Sequence, residues 1–174
     1  MRAVYSLNVP IPGRVERIAT ALHPRLVAFE HVWERRSLVV KRFGSDGYGR
    51  DDYHRLAERV HRVLAGSPAF EARVAGIDYF EEPVRGPGPV VYLAVESAEL
   101  SALHHRLVDA FGAIAALEGA AYVPHVTLAR GGSVERAQAL ASREIDSVVW
   151  TVSKLQLWDA THREVAGTVS LPAR

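Results

Sequence analysis

The feature that most constrains this chain is a weak internal repeat. Its first half runs a strand-like segment (AVYSLNV), an amphipathic segment and then RSLVVKRFG. Its second half runs VVYLAVE, another amphipathic segment and then PHVTLARGG. Tyr5 precedes Ser37 by 32 positions, and Tyr92 precedes His125 by 33. Superposed, Ser37 meets His125, Val39 meets Thr127, Arg42 meets Arg130 and Gly44 meets Gly132. Two such units imply two similar lobes, related by a pseudo-two-fold and facing each other across a groove. Residues 1–174 are therefore expected to form a single bilobal domain.

The elements inside each unit follow from periodicity. Ala3 to Val9 is rich in β-formers and ends at Pro10, Pro12 and Gly13, which predicts a strand and a turn. Val15, Ile18, Ala19 and Leu22 fall on one helical face that stops near Pro24. Leu26 to Val32 and Ser37 to Phe43 are predicted strands, and residues 45–52 (SDGYGRDD) a turn. Leu56, Val60, Val63 and Leu64 mark a second helix. Ala72 to Phe80 and Val90 to Val95 are predicted strands around a loop over residues 81–89. Ser97 caps a helix carrying Leu100, Leu103, Leu107 and Phe111. Val123 to Ala129 is a strand, Ser133 caps a short helix, and Ile145 to Leu157 and Val165 to Leu171 close the chain as strands. About four helices and seven or eight strands make an α+β fold with mostly antiparallel sheets.

Composition narrows the function classes. The 174 residues are 48% hydrophobic and 24% charged, which fits a folded chain of one domain. There is no cysteine, so a disulfide framework, a thiolate zinc site and a cysteine nucleophile are excluded. No apolar run approaches a membrane span, and the N-terminus lacks the apolar core of a signal peptide. The expectation is a soluble, cytoplasmic protein with no membrane partner. Net charge is +1, but it is uneven. Residues 1–50 hold nine Lys/Arg against four Asp/Glu, whereas residues 67–120 hold three against eight. A basic first third suits a phosphate-rich ligand, or is simply a solvated face.

His125 and Thr127 are the sharpest chemical signal. Residues i and i+2 of a strand share a face, so an imidazole and a hydroxyl project side by side. Thr127 is suited to hold a phosphoryl oxygen, and His125 to move a proton near neutral pH. A lone His-x-Thr also serves ordinary hydrogen bonding within a sheet. The whole run Tyr122-Val123-Pro124-His125-Val126-Thr127-Leu128-Ala129-Arg130 resembles the second signature of the 2H phosphoesterase superfamily, which includes 2′-5′ RNA ligases and cyclic nucleotide phosphodiesterases. The resemblance covers nearly the whole chain through the order of elements. It implies a bilobal fold with two mostly antiparallel sheets lining a central groove and helices outside. It implies chemistry on 2′,3′-cyclic phosphates or 2′-5′ linkages of RNA or nucleotides, without metal or cofactor. Two histidines serve as base and acid, and two hydroxyls hold the phosphate.

The first signature departs from that pattern. The framework Arg36-Ser37-Leu38-Val39-Val40-Lys41-Arg42-Phe43-Gly44 is in place, but Ser37 stands at the histidine position and Val39 at the threonine position. Losing one general acid or base typically costs about 10²- to 10⁴-fold in rate. Ser37 keeps a hydroxyl for the phosphate. Lys41, four residues on, falls on the same face by ideal alternation and is a candidate for neutralising it. Arg36 adds charge beside it, and Tyr5 is a candidate for stacking a base. Arg130 nominally points away from His125, and His104 and His105 are expected near water.

Two readings compete. One is a metal-independent phosphodiesterase or RNA ligase-like enzyme using His125 and Thr127, with Ser37, Lys41, Arg36 and Tyr5 around the substrate. The other is a non-catalytic module binding a nucleotide or RNA end. An enzyme is expected to place a second proton-transfer group opposite His125. A bare scaffold is expected to block the groove with bulky side chains.

Overall fold

The computed structural model of the chain describes residues 4–44 and 47–173. Ala3 of the first predicted strand, and Ser45 and Asp46 of the predicted turn, lie outside the described residues. The α+β class and antiparallel pairing are as expected. In chain order the elements are β1 (Tyr5–Val9), α1 (Gly13–Leu26), β2 (His31–Val32), β3 (Leu38–Phe43), α2 (Tyr53–Leu64), β4 (Phe70–Phe80), β5 (Val90–Glu96), α3 (Ala98–Phe111), β6 (His125–Arg130), α4 (Val134–Ala141), β7 (Val148–Val152), β8 (Lys154–Asp159) and β9 (Glu164–Ser170).

The strands join in the order β7-β4-β5-β6-β3-β1-β8-β9, with β2 on the flank of β6. Every pairing is antiparallel. The two arms, β7-β4-β5-β6 and β3-β1-β8-β9, meet where β3 pairs β6, in register at Leu38 and Val126. Both side chains are fully buried. The strands carrying the two signatures thus form the seam of the sheet.

Helices cover the apolar face. Val15, Ala19, Leu22 and Leu26 of α1 form one buried stripe. The helix runs past its predicted stop, with Pro24 inside the last turn. A proline lacks an amide N–H, and Leu26, with no exposed surface, anchors the turn that follows it. This removes the strand predicted over residues 26–32, of which only His31 and Val32 remain as β2. The single strand predicted from Ile145 to Leu157 is two, β7 and β8, broken at Ser153. The hydroxyls of Ser97 and Ser133 cap α3 and α4 by accepting from the amides of Leu100 and Arg136, at 3.2 Å and 3.1 Å.

Both seam strands carry a bulge. Against β1, Leu7 pairs Lys41 but Asn8 pairs Val39, so Val40 is the extra residue. Against β5, Val91 pairs Ala129 but Tyr92 pairs Thr127, so Leu128 is the extra residue. A bulge shifts the alternation of side chains by one position. Ser37, just before β3, and Val39 and Arg42 within it therefore share the open face, while Leu38, Val40, Lys41 and Phe43 are buried. In β6 the same spacing puts His125, Thr127 and Arg130 on the open face above buried Val126, Leu128 and Ala129.

Candidate active site

A cavity of about 480 Å³ lies on the open face over the seam. Ser37, Val39 and Arg42 line it from β3 and the residue before it, and His125, Thr127 and Arg130 from β6. Phe80 and the loop 82–85 close one side, and Tyr122 and Val123 another. Side chains 88 positions apart in the sequence therefore stand together across one pocket.

His125 is held in one orientation. Its Nδ1 lies 2.6 Å from the carbonyl oxygen of Val123, which only accepts, so Nδ1–H donates there. That leaves Nε2 unprotonated in the neutral ring, with no partner among the described residues. Phe80 and Tyr92 meet the ring edge-on, with centroids 5.4 Å and 5.2 Å away. Burial lowers the pKa of His125 below the ordinary histidine value, and the charge of Arg42 adds to this. The bond to Val123 opposes both. The imidazole is thus neutral near pH 7 and able to accept a proton. The Thr127 hydroxyl has no partner among the described residues and faces the same pocket.

Arg42 is the cation opposite. Its guanidinium has no carboxylate partner among the described residues. Burial lowers its pKa, Glu118 opposes this, and Arg85 adds to it. An unpaired, partly desolvated guanidinium is matched by a bound anion. Arg42 is aimed by a clamp behind the sheet. Glu118, 5% exposed, accepts from Lys41 Nζ at 2.6 Å through Oε1, and from the Arg42 amide at 2.9 Å through Oε2. Lys41 Nζ also donates to the Arg42 carbonyl at 2.7 Å. One carboxylate and one ammonium therefore hold the backbone on both sides of Arg42, next to the bulge. Tyr122 adds a third hold, donating to the Val39 carbonyl at 2.8 Å while its ring stacks on His104 at 3.7 Å.

The structure corrects the expectations for Lys41, Arg36, Tyr5, His104 and Arg130. Lys41 does not face the pocket: the bulge turns it inward, where its side chain is 1% exposed and ion-paired. Arg36 is directed to α1, donating to Glu16 Oε2 at 2.8 Å, and does not line the cavity. Tyr5 lies in the core, its hydroxyl donating to the Arg50 carbonyl at 2.9 Å, because it pairs with Phe43 on the apolar face. His104 is fully buried rather than wet. Its Nδ1–H donates to the Val40 carbonyl at 2.6 Å, and its Nε2 accepts from the Gly119 amide at 3.0 Å.

Arg130, expected to point away, lines the cavity because of the bulge at Leu128. It braces the loop over residues 85–87, donating from Nε to the Pro87 carbonyl at 3.0 Å and from Nη2 to that of Arg85. Gly86 permits this approach: its φ is +72°, and a Cβ there would meet Arg130 Nη2 at 2.7 Å. Arg42 and Arg130 were signalled by the repeat, which superposes them. Glu118 carried no signal, since it sits in an irregular segment after α3. His31 is exposed and lies outside this cavity, and His54, His61 and His105 do not line it either. At the β8–β9 turn, Asp159, His162 and Glu164 bring ligand-type atoms within 4.8 Å of one another. The Asp159 carboxylate is already committed there to the amides of Thr161 and His162 and to His162 Nδ1.

A family model described as the 2′-5′ RNA ligase superfamily matches residues 38–164. The fold is similar to that of TT0787 of Thermus thermophilus, with a TM-score of 0.68 at 19% identity over 98% of each chain. It is also similar to E. coli LigT solved with NADP+, with a TM-score of 0.66 at 14% identity over 98% of each chain. LigT solved with 3′-AMP gives 0.63 at 14% over 99% of each. No curated protein matches the sequence. The match covers both seam strands and most of the residues that line the cavity, so the chain belongs to the 2′-5′ RNA ligase superfamily.

Proposed function

We propose that the cavity over the seam binds the phosphate of a nucleotide or RNA end and opens a phosphodiester there with a single general base. The observation that carries this is the meeting of a neutral His125, with Nε2 free, and an unpaired Arg42 across one pocket. In this reading residues 1–174 form one bilobal unit whose arms are related by the pseudo-two-fold of the repeat. E. coli LigT has been solved with 3′-AMP, ATP and NADP+, which is consistent with a nucleotide ligand here.

With a 2′,3′-cyclic phosphate, His125 Nε2 takes a proton from water as the water oxygen bonds to phosphorus. The bond from phosphorus to one ribose oxygen breaks. Arg42 stabilises the charge on the departing oxygen, which takes its proton from solvent. Thr127 and Ser37 donate to the non-bridging oxygens. Lys41, Arg36 and Tyr5 have no part in this.

A second reading has its own support. Opposite His125 the cavity offers Ser37, Val39 and Arg42 but no second histidine. That set suits binding without turnover, whereas the open cavity argues against a bare scaffold. The test is hydrolysis of the four 2′,3′-cyclic nucleotides in the presence of a chelator, with thermal shift in the same plate. Turnover lost in His125→Ala supports the one-base enzyme. A thermal shift that depends on Thr127 and Arg42, without turnover, supports the binding module. Neither signal would overturn both.

A further inference from the structure

A second cavity of about 730 Å³ opens beside the first, and the two share Trp33 and Ser37. Its far wall comes from the other arm of the sheet, through Trp158 of β8 and Arg163 of the β8–β9 turn. Arg35 lies over Trp158, its guanidinium carbon 3.2 Å from the ring centroid. Among the described residues, neither Arg35 nor Arg163 has a carboxylate partner, and Glu34 is the one acidic residue on the wall. Arg35 and Arg163 are also close enough to press on each other's charge. Two unpaired guanidiniums kept together beside two indoles suit a ligand that is both anionic and flat-faced. Stacked bases and phosphates of single-stranded RNA meet both needs, since bases stack on aromatic rings and on guanidinium planes. Arginine also recognises phosphate in a fixed geometry.

We infer that this cavity holds the nucleotide that flanks the reacting phosphate, so that a single-stranded oligoribonucleotide is bound and turned over in preference to a lone cyclic mononucleotide. It rests on the phosphate reading of the first cavity. Arg35, backed by Trp158, is the plane on which the flanking base stacks. Arg163 meets the next phosphate. Trp33, which lines both cavities, and Ser37 mark the crossing between the two positions.

The experiment is calorimetric titration with two probes, 3′-AMP and a 3′-phosphorylated tetra-adenylate. The wild type is compared with Arg35→Ala, Arg163→Ala, Trp158→Ala and Trp158→Phe. Arg35 and Arg163 are exposed, so their variants keep the fold whatever becomes of Trp158→Ala. The tetranucleotide binds the wild type about tenfold or more tightly than 3′-AMP, as one stacked base supplies. Arg35→Ala and Arg163→Ala lose most of that advantage and leave 3′-AMP binding within about twofold. Trp158→Phe retains it, and the advantage shrinks with added salt. A tetranucleotide that binds no tighter than 3′-AMP, or an advantage that survives both arginine variants, overturns the flanking site and leaves the first cavity standing. Failure of both probes to bind overturns both.

Discussion

His125 differs from a surface histidine in two ways that can be measured. Its tautomer is set by the Val123 carbonyl, and its protonated form is disfavoured first by burial and then by Arg42. Replacing it by alanine is expected to lower kcat by about 10²- to 10⁴-fold, the usual worth of a positioned base. Arg42→Met removes the unpaired guanidinium of the cavity and a charge that acts on the imidazole. Substrate affinity is expected to fall about ten- to hundredfold, and the midpoint of the pH–rate curve to move up toward the free-histidine value. A merely structural Arg42 leaves that midpoint unmoved. Ser37 and Val39 face His125 and Thr127 across the pocket, where the related signature carries a histidine and a threonine. The double substitution Ser37→His with Val39→Thr is expected to raise kcat by about tenfold or more and to add a falling limb at high pH. Steady-state rates across pH check both.

At the scale of elements, the bulges decide which side chains reach the site. The strands were legible in the sequence, because runs such as Val123 to Ala129 alternate apolar and polar residues. The bulges were not, because an extra residue in a strand leaves no mark on composition. Strict alternation therefore assigned Lys41 to the pocket and Arg130 away from it, and both assignments reversed. The clamp that stabilises the first bulge joins Glu118, in an irregular segment, to Lys41 over 77 positions, which no local pattern reports. Breaking a buried ion pair leaves an uncompensated charge. Glu118→Ala is expected to destabilise the fold by about 3–5 kcal/mol, measured by urea unfolding. In the surviving folded fraction it is expected to raise KM through misplacement of Arg42.

Across the whole molecule, the repeat was the most informative sequence feature. It placed Ser37 against His125 and Arg42 against Arg130, and the structure brings those four to one cavity at the seam. What the repeat did not show is the second layer beneath it, where His104 is enclosed with Tyr122 and the Val40 carbonyl. Burial lowers the pKa of His104, with the bond to Val40 opposing. The unfolded chain binds a proton there below the ordinary histidine pKa while the folded chain does not. The stabilisation is complete above that value and is lost as pH falls below it; His125 acts in the same direction. The urea midpoint is expected to drop between about pH 7.5 and pH 5.5, and the drop to be smaller in His104→Gln.

The measurement that bears most directly on the one-base site is the pH dependence of kcat/KM for 2′,3′-cyclic AMP, in a chelator, for the wild type and His125→Ala. A one-base site gives a single limb in the wild type, rising through a midpoint below the ordinary histidine value to a plateau, with the rate in the variant lower by about 10²-fold or more across the range. A bell-shaped wild-type profile, or a rate that survives His125→Ala undiminished, would contradict it.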